Sequence, residues 1–471
     1  MNTVIEKIKK DKIIKKIKTH CKAAQVYLVG GTIRDFYLGL ENFDKDIVID
    51  KINAKDFAKN LAKSLDATFV PLDEENKIYR LVLKDKINYI DIANIIGNSI
   101  EDDLKRRDLT INSVAINLKT FEIIDITGGV KDLENKKIKH ISEQNFVDDP
   151  LRLLRAYRFG AVLGFKIDDG LQKIITRHAA KIQKPAVERI NYELLKLFEG
   201  RFSSQILFEM DKSGLLEEIL PIIKDLKKVP PNSHHHLNLF DHSIETVKQI
   251  QRIYEESSNE VKLHLEKHDF GGASRLAHLK FAGFLHDIGK FETWTIEEET
   301  GRHRFIKHDD LGSKMAIEFL KKNKFSKKQI DYISKMIKLH IYPSHVIKNP
   351  EINEKLYMRL IRKMKENVID IIILAMADRY SARGVEITDE IVNKNISDLN
   401  LLLEFYLKIK DELKPLPKLL SGDEIMEILN IKPSKELGEI IKKLHESQLS
   451  GEIQTKEEAL NFIQNFTAKN T

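Results

Sequence analysis

Only one cysteine, Cys21, stands among the 471 residues, so an internal disulfide is excluded and a reducing compartment fits. Long apolar runs are absent too. The most apolar stretch, Ile371 to Ala377, is far too short to span a bilayer, which takes roughly 20 residues. The first residues lack the apolar core of a signal peptide. Charge of one sign is scarce: 78 Lys and Arg stand against 72 Asp and Glu, a net +6. That excess permits a polyanionic partner without demanding one. There is no internal repeat and no low-complexity tract. A soluble, cytoplasmic protein with no membrane partner is expected. At roughly 100–200 residues per domain, the length suggests about three domains.

Residues 3–20 set Val4, Ile5, Ile8, Ile13, Ile14 and Ile17 at helical spacing among lysines. This predicts a surface helix covering a sheet, with contact to RNA phosphates as the alternative. From residue 26 to about 125 the chain is β-rich. VYLVGG, DIVID, ATFV, YRLVL, YIDIA, SVAINL and EIIDI are short β-branched runs between polar turns, with helical segments such as 54–64 between them. From Pro150 onward the periodicity is helical, over 150–163, 168–182 and 187–199 and on to about 385. KKVPPNSHHH (227–236) reads as a domain boundary, and KPLPKLLSGDE (414–424) as a linker before a basic helical tail. The expected fold class is α+β. A mixed α/β head (1–149) precedes a helical neck (150–226), a second helical domain (234–385) and a helical tail (415–471).

The strongest local signal is VYLVGGTIRDFYLG followed by DKDIVID. Gly30 and Gly31 end a strand, and Arg34 and Asp35 follow. Paired glycines let a backbone approach a phosphate, and the N–H groups at a helix start attract anions. Asp44 and Asp46 lie two apart on a strand and so share one face. Such a pair can hold Mg²⁺, lowering the pKa of an attacking hydroxyl and stabilising a leaving pyrophosphate. Read alone, it fits a solvated strand end equally well. Asp50 has the same parity but lies past the strand core. In EDDLKRRDLTINSVAIN, Arg106, Arg107 and Asp108 suit a triphosphate or ribose, or an exposed charge run. In NFVDDPLRLLRAYRF, Pro150 suits a first helical turn, and Arg152, Arg155 and Arg158 recur every three residues. Asp149 and Arg152 are either an ordinary helical ion pair or a base reader. An aspartate acceptor beside an arginine donor matches the amino group and ring nitrogen of cytosine and adenine, and mismatches uracil and guanine.

Taken together, LVGGTIRD, DKD, RRDLTIN, DDPLRLLRAYRF and ERINYELLKLF resemble the class II tRNA nucleotidyltransferase and bacterial poly(A) polymerase family, within the DNA polymerase beta superfamily. They stand in that family's order over roughly residues 25–200. The resemblance implies a polymerase beta-like palm in the head. It implies Mg²⁺ at Asp44 and Asp46, and triphosphate contacts from Gly30, Gly31 and Arg34. Arg107 would contact the nucleotide. Asp149 and Arg152 would read the base, with Arg155 and Arg158 completing the pocket. Glu188, Arg189 and Glu193 resemble a neck motif that braces the body. The implied activity extends a tRNA or other RNA 3′ end from CTP, with ATP as a further substrate, releasing pyrophosphate without a template. Poly(A) polymerase shares these motifs. The sequence departs in having Asp148 before Asp149 where the family has glutamate. It also has only NIIGNSIEDDLK between YIDIA and Arg106, where full CCA-adding members carry a longer segment. That shortening resembles members that add CC alone.

LAHLKFAGFLHDIGK sets His286 and Asp287 into an apolar helix. A buried carboxylate there is costly unless paired or metal-bound. Further candidate ligands are His242, His308, His340 and Asp378. Histidine with carboxylate suits a divalent transition metal or Mg²⁺, which could generate hydroxide for phosphoester hydrolysis. The order H…HD…H…H…D resembles the HD phosphohydrolase superfamily. An HD fold kept only for RNA binding is the alternative. His234, His235 and His236 sit in an expected loop and are not assigned as ligands. Lys290 reads either as facing a phosphate or as solvated. Two other classes remain: a phosphohydrolase whose head only binds RNA, and a non-catalytic RNA-binding protein.

Overall fold

The seven β-branched runs become the strands of one sheet: β1 (Gln25–Val29), β2 (Asp44–Asp50), β3 (Thr68–Asp73), β4 (Ile78–Val82), β5 (Tyr89–Asn94), β6 (Ala115–Asn117) and β7 (Ile123–Ile124). The computed structural model describes residues 1–21, 25–348, 353–413, 418–449 and 452–468. The sheet order is β3-β4-β5-β2-β1-β6-β7. Neighbours are antiparallel except β2 and β5, which run parallel. A parallel pair needs a long crossover, here the helix Ala54–Leu65 and the β3–β4 hairpin.

Alternation along β2 separates two faces. Ile47 and Ile49 join a core with Ile8, Ile14, Ile17, Phe57 and Leu61. Val48 packs on the other face with Val29, Ile100 and Leu104. Asp44 and Asp46 share the parity of Val48. The N-terminal segment covers the sheet as expected, but as two helices, Asn2–Lys10 and Lys12–Thr19. The break is at Asp11, whose ψ of 126° leaves the helical region. Its carboxylate accepts from the backbone N–H groups of Ile13 and Ile14, which caps the second helix.

The chain forms two compact units, Met1–Pro221 and Ile222–Thr471. In the first, the helix Leu151–Leu163 packs against Val187–Glu199. In the second, Arg275–Leu285 is buried along its whole length, and Val368–Ser381 along most of it. The apolar run at 371–377 is therefore a core helix, apolar on nearly every side. No helix among the described residues is long and apolar enough to cross a membrane. The second unit also holds a short hairpin, Trp294–Ile296 with His303–Phe305, where only helices were expected. Of the expected linker 414–424, residues 414–417 lie outside the described residues. Its last residues instead open the helix Gly422–Leu429, whose N-cap Ser421 forms a capping box with Glu424.

Candidate functional site

β1 ends at Val29 and is followed by Gly30, whose φ of 68° places it where side chains are strained. A Cβ there would lie 3.0 Å from an Arg107 nitrogen and 3.2 Å from Asp46 Oδ2. Glycine thus lets three sequence-distant motifs meet. Thr32, buried just beyond, donates to the Asp44 carbonyl (3.2 Å) and accepts from the Asp46 N–H (2.9 Å). Its hydroxyl pins the β2 terminus to the helix Gly31–Leu38.

Carboxylate oxygens of Asp44 and Asp46 come together with one from Asp91, all within 4.8 Å of one another. Asp91 was not singled out from the sequence. It stands opposite Asp46 in the β2–β5 register, and that pairing is what brings it in. Arg80 donates to both Asp91 oxygens at 2.7 and 2.6 Å and lies 3.8 Å from Asp44. Burial and the negative charge of Asp44 push the Asp46 carboxyl up to about 7, against the pull of Arg107. Asp44 is raised by burial and by Asp91. Crowded carboxylates with raised pKa values are the donor set a divalent cation relieves, so these residues fit one. Asp50 lies apart, at the far end of β2, accepting from the Lys51 N–H.

Asp44 and Asp46 open into a cavity of about 520 Å³, which also takes in Gly30, Gly31, Arg34, Arg107, Asp149, Arg152, Arg155 and Arg158. Every residue expected from the sequence to hold the head's metal or the nucleotide therefore faces one space, while Asp50, Glu188 and Glu193 do not line it. Seven arginines line it, with Arg106 and Arg189 completing the set. Arg34 is aimed by Asp35 (2.9 Å) and by the Asn112 side-chain oxygen (2.7 Å). Buried Asp103 accepts from Arg106 and Arg107. Arg152 donates to the Arg106 carbonyl at 2.7 Å and stands 3.9 Å from Asp149, which Arg189 also approaches at 3.5 Å. Arg155 and Arg158 line the cavity, but carboxylates engage their charge. Arg155 pairs with Asp108 (2.9 Å) and Glu193 (3.3 Å), and Arg158 with Glu193 (2.9 Å). Burial opposes ionisation of Asp108, yet Arg155 and Asn112 hold its pKa down at about 2. Buried Glu193 thus ties the neck helix Val187–Glu199 to Leu151–Leu163.

In the second unit, six candidate ligands arrive from different elements. Two clusters form, His242, His286, Asp287 and Asp378, and Asp287, His308 and His340. Asp287 belongs to both. Its Oδ2 lies 3.4 Å from His242 Nε2 and 3.0 Å from His286 Nε2, and its Oδ1 lies 3.3 Å from His308 Nε2 and 3.5 Å from His340 Nε2. Asp378 Oδ1 is 3.2 Å from His242 Nε2. The Nδ1 atoms of His286, His308 and His340 each meet a backbone carbonyl at 2.6–2.8 Å. That contact fixes the tautomer and leaves Nε2 as a lone-pair donor. Ligands about 2.0–2.2 Å from a common ion lie roughly 3–3.5 Å apart, which this spacing matches. The residues fit a pair of divalent ions bridged by Asp287. Lys290 is not solvated: it is buried and pairs with Asp287 at 2.6 Å. His235, left unassigned from the sequence, packs its ring 4.5 Å from that of His242 and 3.4 Å from Lys290 Nζ.

Three family models match the chain: the poly A polymerase head domain over residues 26–139, the probable RNA and SrmB-binding site of polymerase A over 164–227, and the HD domain over 239–383. Head and HD domains of these kinds imply dependence on divalent metal. The A-adding tRNA nucleotidyltransferase of Deinococcus radiodurans is 27% identical over 93% of this chain and 94% of its own. The CC-adding tRNA nucleotidyltransferase of Thermus thermophilus is 29% identical over 92% of each. A Thermotoga maritima CCA-adding enzyme, solved in complex with tRNA, shares the fold with a TM-score of 0.57 at 22% identity, covering 99% of this chain and 98% of that one. The chain belongs to the tRNA nucleotidyltransferase and poly(A) polymerase family and carries an HD domain.

Proposed function

We propose that this protein is a cytoplasmic tRNA nucleotidyltransferase that adds C residues to the tRNA 3′ end from CTP, with Mg²⁺ and without a template. One observation carries the reading: the Asp44–Asp46 carboxylates and the Asp149–Arg152 pair face the same arginine-lined cavity. Residues 1–149 would be the head and 150–226 the neck, with the HD domain at 234–385 and a tail at 415–471.

In this reading Asp44 and Asp46 would hold Mg²⁺, which would supply Lewis-acid chemistry for the attacking 3′-hydroxyl and the leaving pyrophosphate. Gly30 and Gly31 offer backbone close to the phosphates, while Arg34 and Arg107 carry their charge. Asp149 accepts from the cytosine amino group and Arg152 donates to its ring nitrogen. Uracil would set an N–H against the arginine and a carbonyl against the aspartate, leaving both pairings broken. Arg155 and Arg158, engaged by Asp108 and Glu193, fix the wall that carries Arg152.

Addition of CC without the final A is favoured by the connection after β5. Its five residues, 95–99, are tied back to the next helix, with the Ile96 and Asn98 N–H groups donating to Asp103 and Asp102. Purified protein, tRNA lacking its CCA end, CTP and ATP test the proposal. Two added C residues are expected. A terminal A would overturn CC-only addition, and tailing of generic RNA from ATP alone would mark a poly(A) polymerase.

A second reading concerns the HD centre. Six converging ligands favour metal-dependent phosphoester hydrolysis, with the ions supplying a hydroxide nucleophile. Hydrolysis of a generic phosphodiester by metal-loaded protein, lost in Asp287→Asn, tests it. No turnover with any divalent metal would leave the centre structural.

A further inference from the structure

Apart from both centres, two helices of the second unit turn basic faces toward one cavity of about 390 Å³. Glu354–Met364 supplies Arg359, Arg362 and Lys363, spaced three and four apart and so on one face. Lys442 and His445 come from Lys435–Leu449, again three apart. Lys365 and Tyr342 complete the lining, with Lys363 Nζ 3.5 Å from the centre of the tyrosine ring. That cation–π contact holds the ammonium in place.

The distribution of charge is what sets this cavity apart. No carboxylate lines it, among the described residues. Nor do Arg359, Arg362 and Lys442 form an ion pair with any described carboxylate. An ordinary solvated face interleaves both signs, as elsewhere on this chain. Cations gathered from two helices around one hollow repel each other, and an entering anion relieves that repulsion.

We propose that this cavity binds phosphates of the RNA backbone. The proposal rests on the tRNA nucleotidyltransferase reading, which makes RNA the polyanion this protein meets. Arg359, Lys363, Lys365, Lys442 and His445 are all exposed. An open, dispersed set of cations suits a run of phosphates held without regard to sequence. A free nucleotide would call for buried polar groups around a base.

The test uses the full chain and radiolabelled tRNA lacking its CCA end, with Kd measured across a salt series. Arg359→Gln/Arg362→Gln/Lys442→Gln is expected to raise Kd about tenfold at low salt. It should also reduce the slope of log Kd on log salt by roughly 2, at about 0.7–0.9 for each phosphate no longer neutralised. A second variant confined to Lys435–Leu449, Lys442→Gln/His445→Gln, should move the slope the same way by about 1. Lys321→Gln/Lys327→Gln/Lys328→Gln removes the same charge as the triple variant from exposed positions elsewhere and should change neither quantity. An unchanged Kd and slope in both cavity variants, with wild type binding normally, overturns the proposal. A loss of affinity for CTP in place of tRNA overturns it in favour of a nucleotide subsite. Wild-type protein that neither binds nor extends tRNA overturns the underlying reading, and this proposal with it.

Discussion

Asp46 stands opposite Asp91 across the parallel pair β2–β5, and Arg80 grips Asp91 by both oxygens. A third carboxylate thus joins Asp44 and Asp46, with its charge only partly offset, since Arg80 also lies 3.8 Å from Asp44. Removing that charge weakens the pull on a cation and frees Arg80 to lean on Asp44. Asp91→Asn is predicted to raise the Mg²⁺ concentration for half-maximal CMP incorporation and to cut the rate, by roughly 10–100-fold together. A magnesium titration of the purified variant decides this. An unchanged curve would reduce Asp91 to a partner of Arg80.

The raised pKa of Asp46 gives the head a pH signature. Its folded value of about 7 exceeds the unfolded value of about 3.9. The metal-free head therefore loses stability as pH rises from about 4 to about 7, where the folded state gives up a proton it prefers to keep. A cation competes with that proton. The Mg²⁺ requirement should rise about tenfold per pH unit below 7 and level off above it. Activity against Mg²⁺ at several pH values tests this, and a pH-independent midpoint would contradict it.

Asp108 behaves in the opposite sense. Its folded value of about 2 lies below the unfolded one of about 3.9, so its stabilisation is complete above about pH 4 and is lost as pH falls toward 2. Asp108→Ala strands the partly exposed Arg155 beside Glu193 alone. A loss of about 3 kcal/mol is expected, at the low end for a broken buried pair. Denaturant melts check the size, and a loss below about 0.5 kcal/mol would show the pair to be solvated charge.

At the HD centre, Asp287 serves both clusters while Asp378 serves one. Metal analysis after reconstitution should find about two ions per chain in the wild type, about one in Asp378→Asn and none in Asp287→Asn. A single ion in the wild type, lost equally in both variants, would contradict a bridged pair.

Much of this was legible in the sequence, and the reasons differ by element. All seven strands followed from β-branched alternation, which is a local property. The head site followed from motif order, because each motif carries its own turn or helix start. Strand order is not local. The parallel pairing that delivers Asp91 is made across the sheet, and within YIDIA that residue alternates like any half-buried polar one. Arg155 and Arg158 looked free for a ligand, since Asp108 and Glu193, 47 and 35–38 residues away, meet them only in three dimensions. Lys290 was ambiguous for a similar reason: its burial depends on how the helices around Asp287 pack. Asp11 breaks the N-terminal helix through a cap that apolar spacing cannot register.

In the proposed function one cavity both transfers and selects the nucleotide. Its most direct test is single-turnover extension of tRNA lacking its CCA end, with each of the four nucleoside triphosphates in turn. CTP should be incorporated in an Mg²⁺-dependent reaction, abolished in Asp46→Asn, with UTP and GTP rejected. Incorporation of UTP as readily as CTP, or extension that survives in Asp46→Asn, would contradict it.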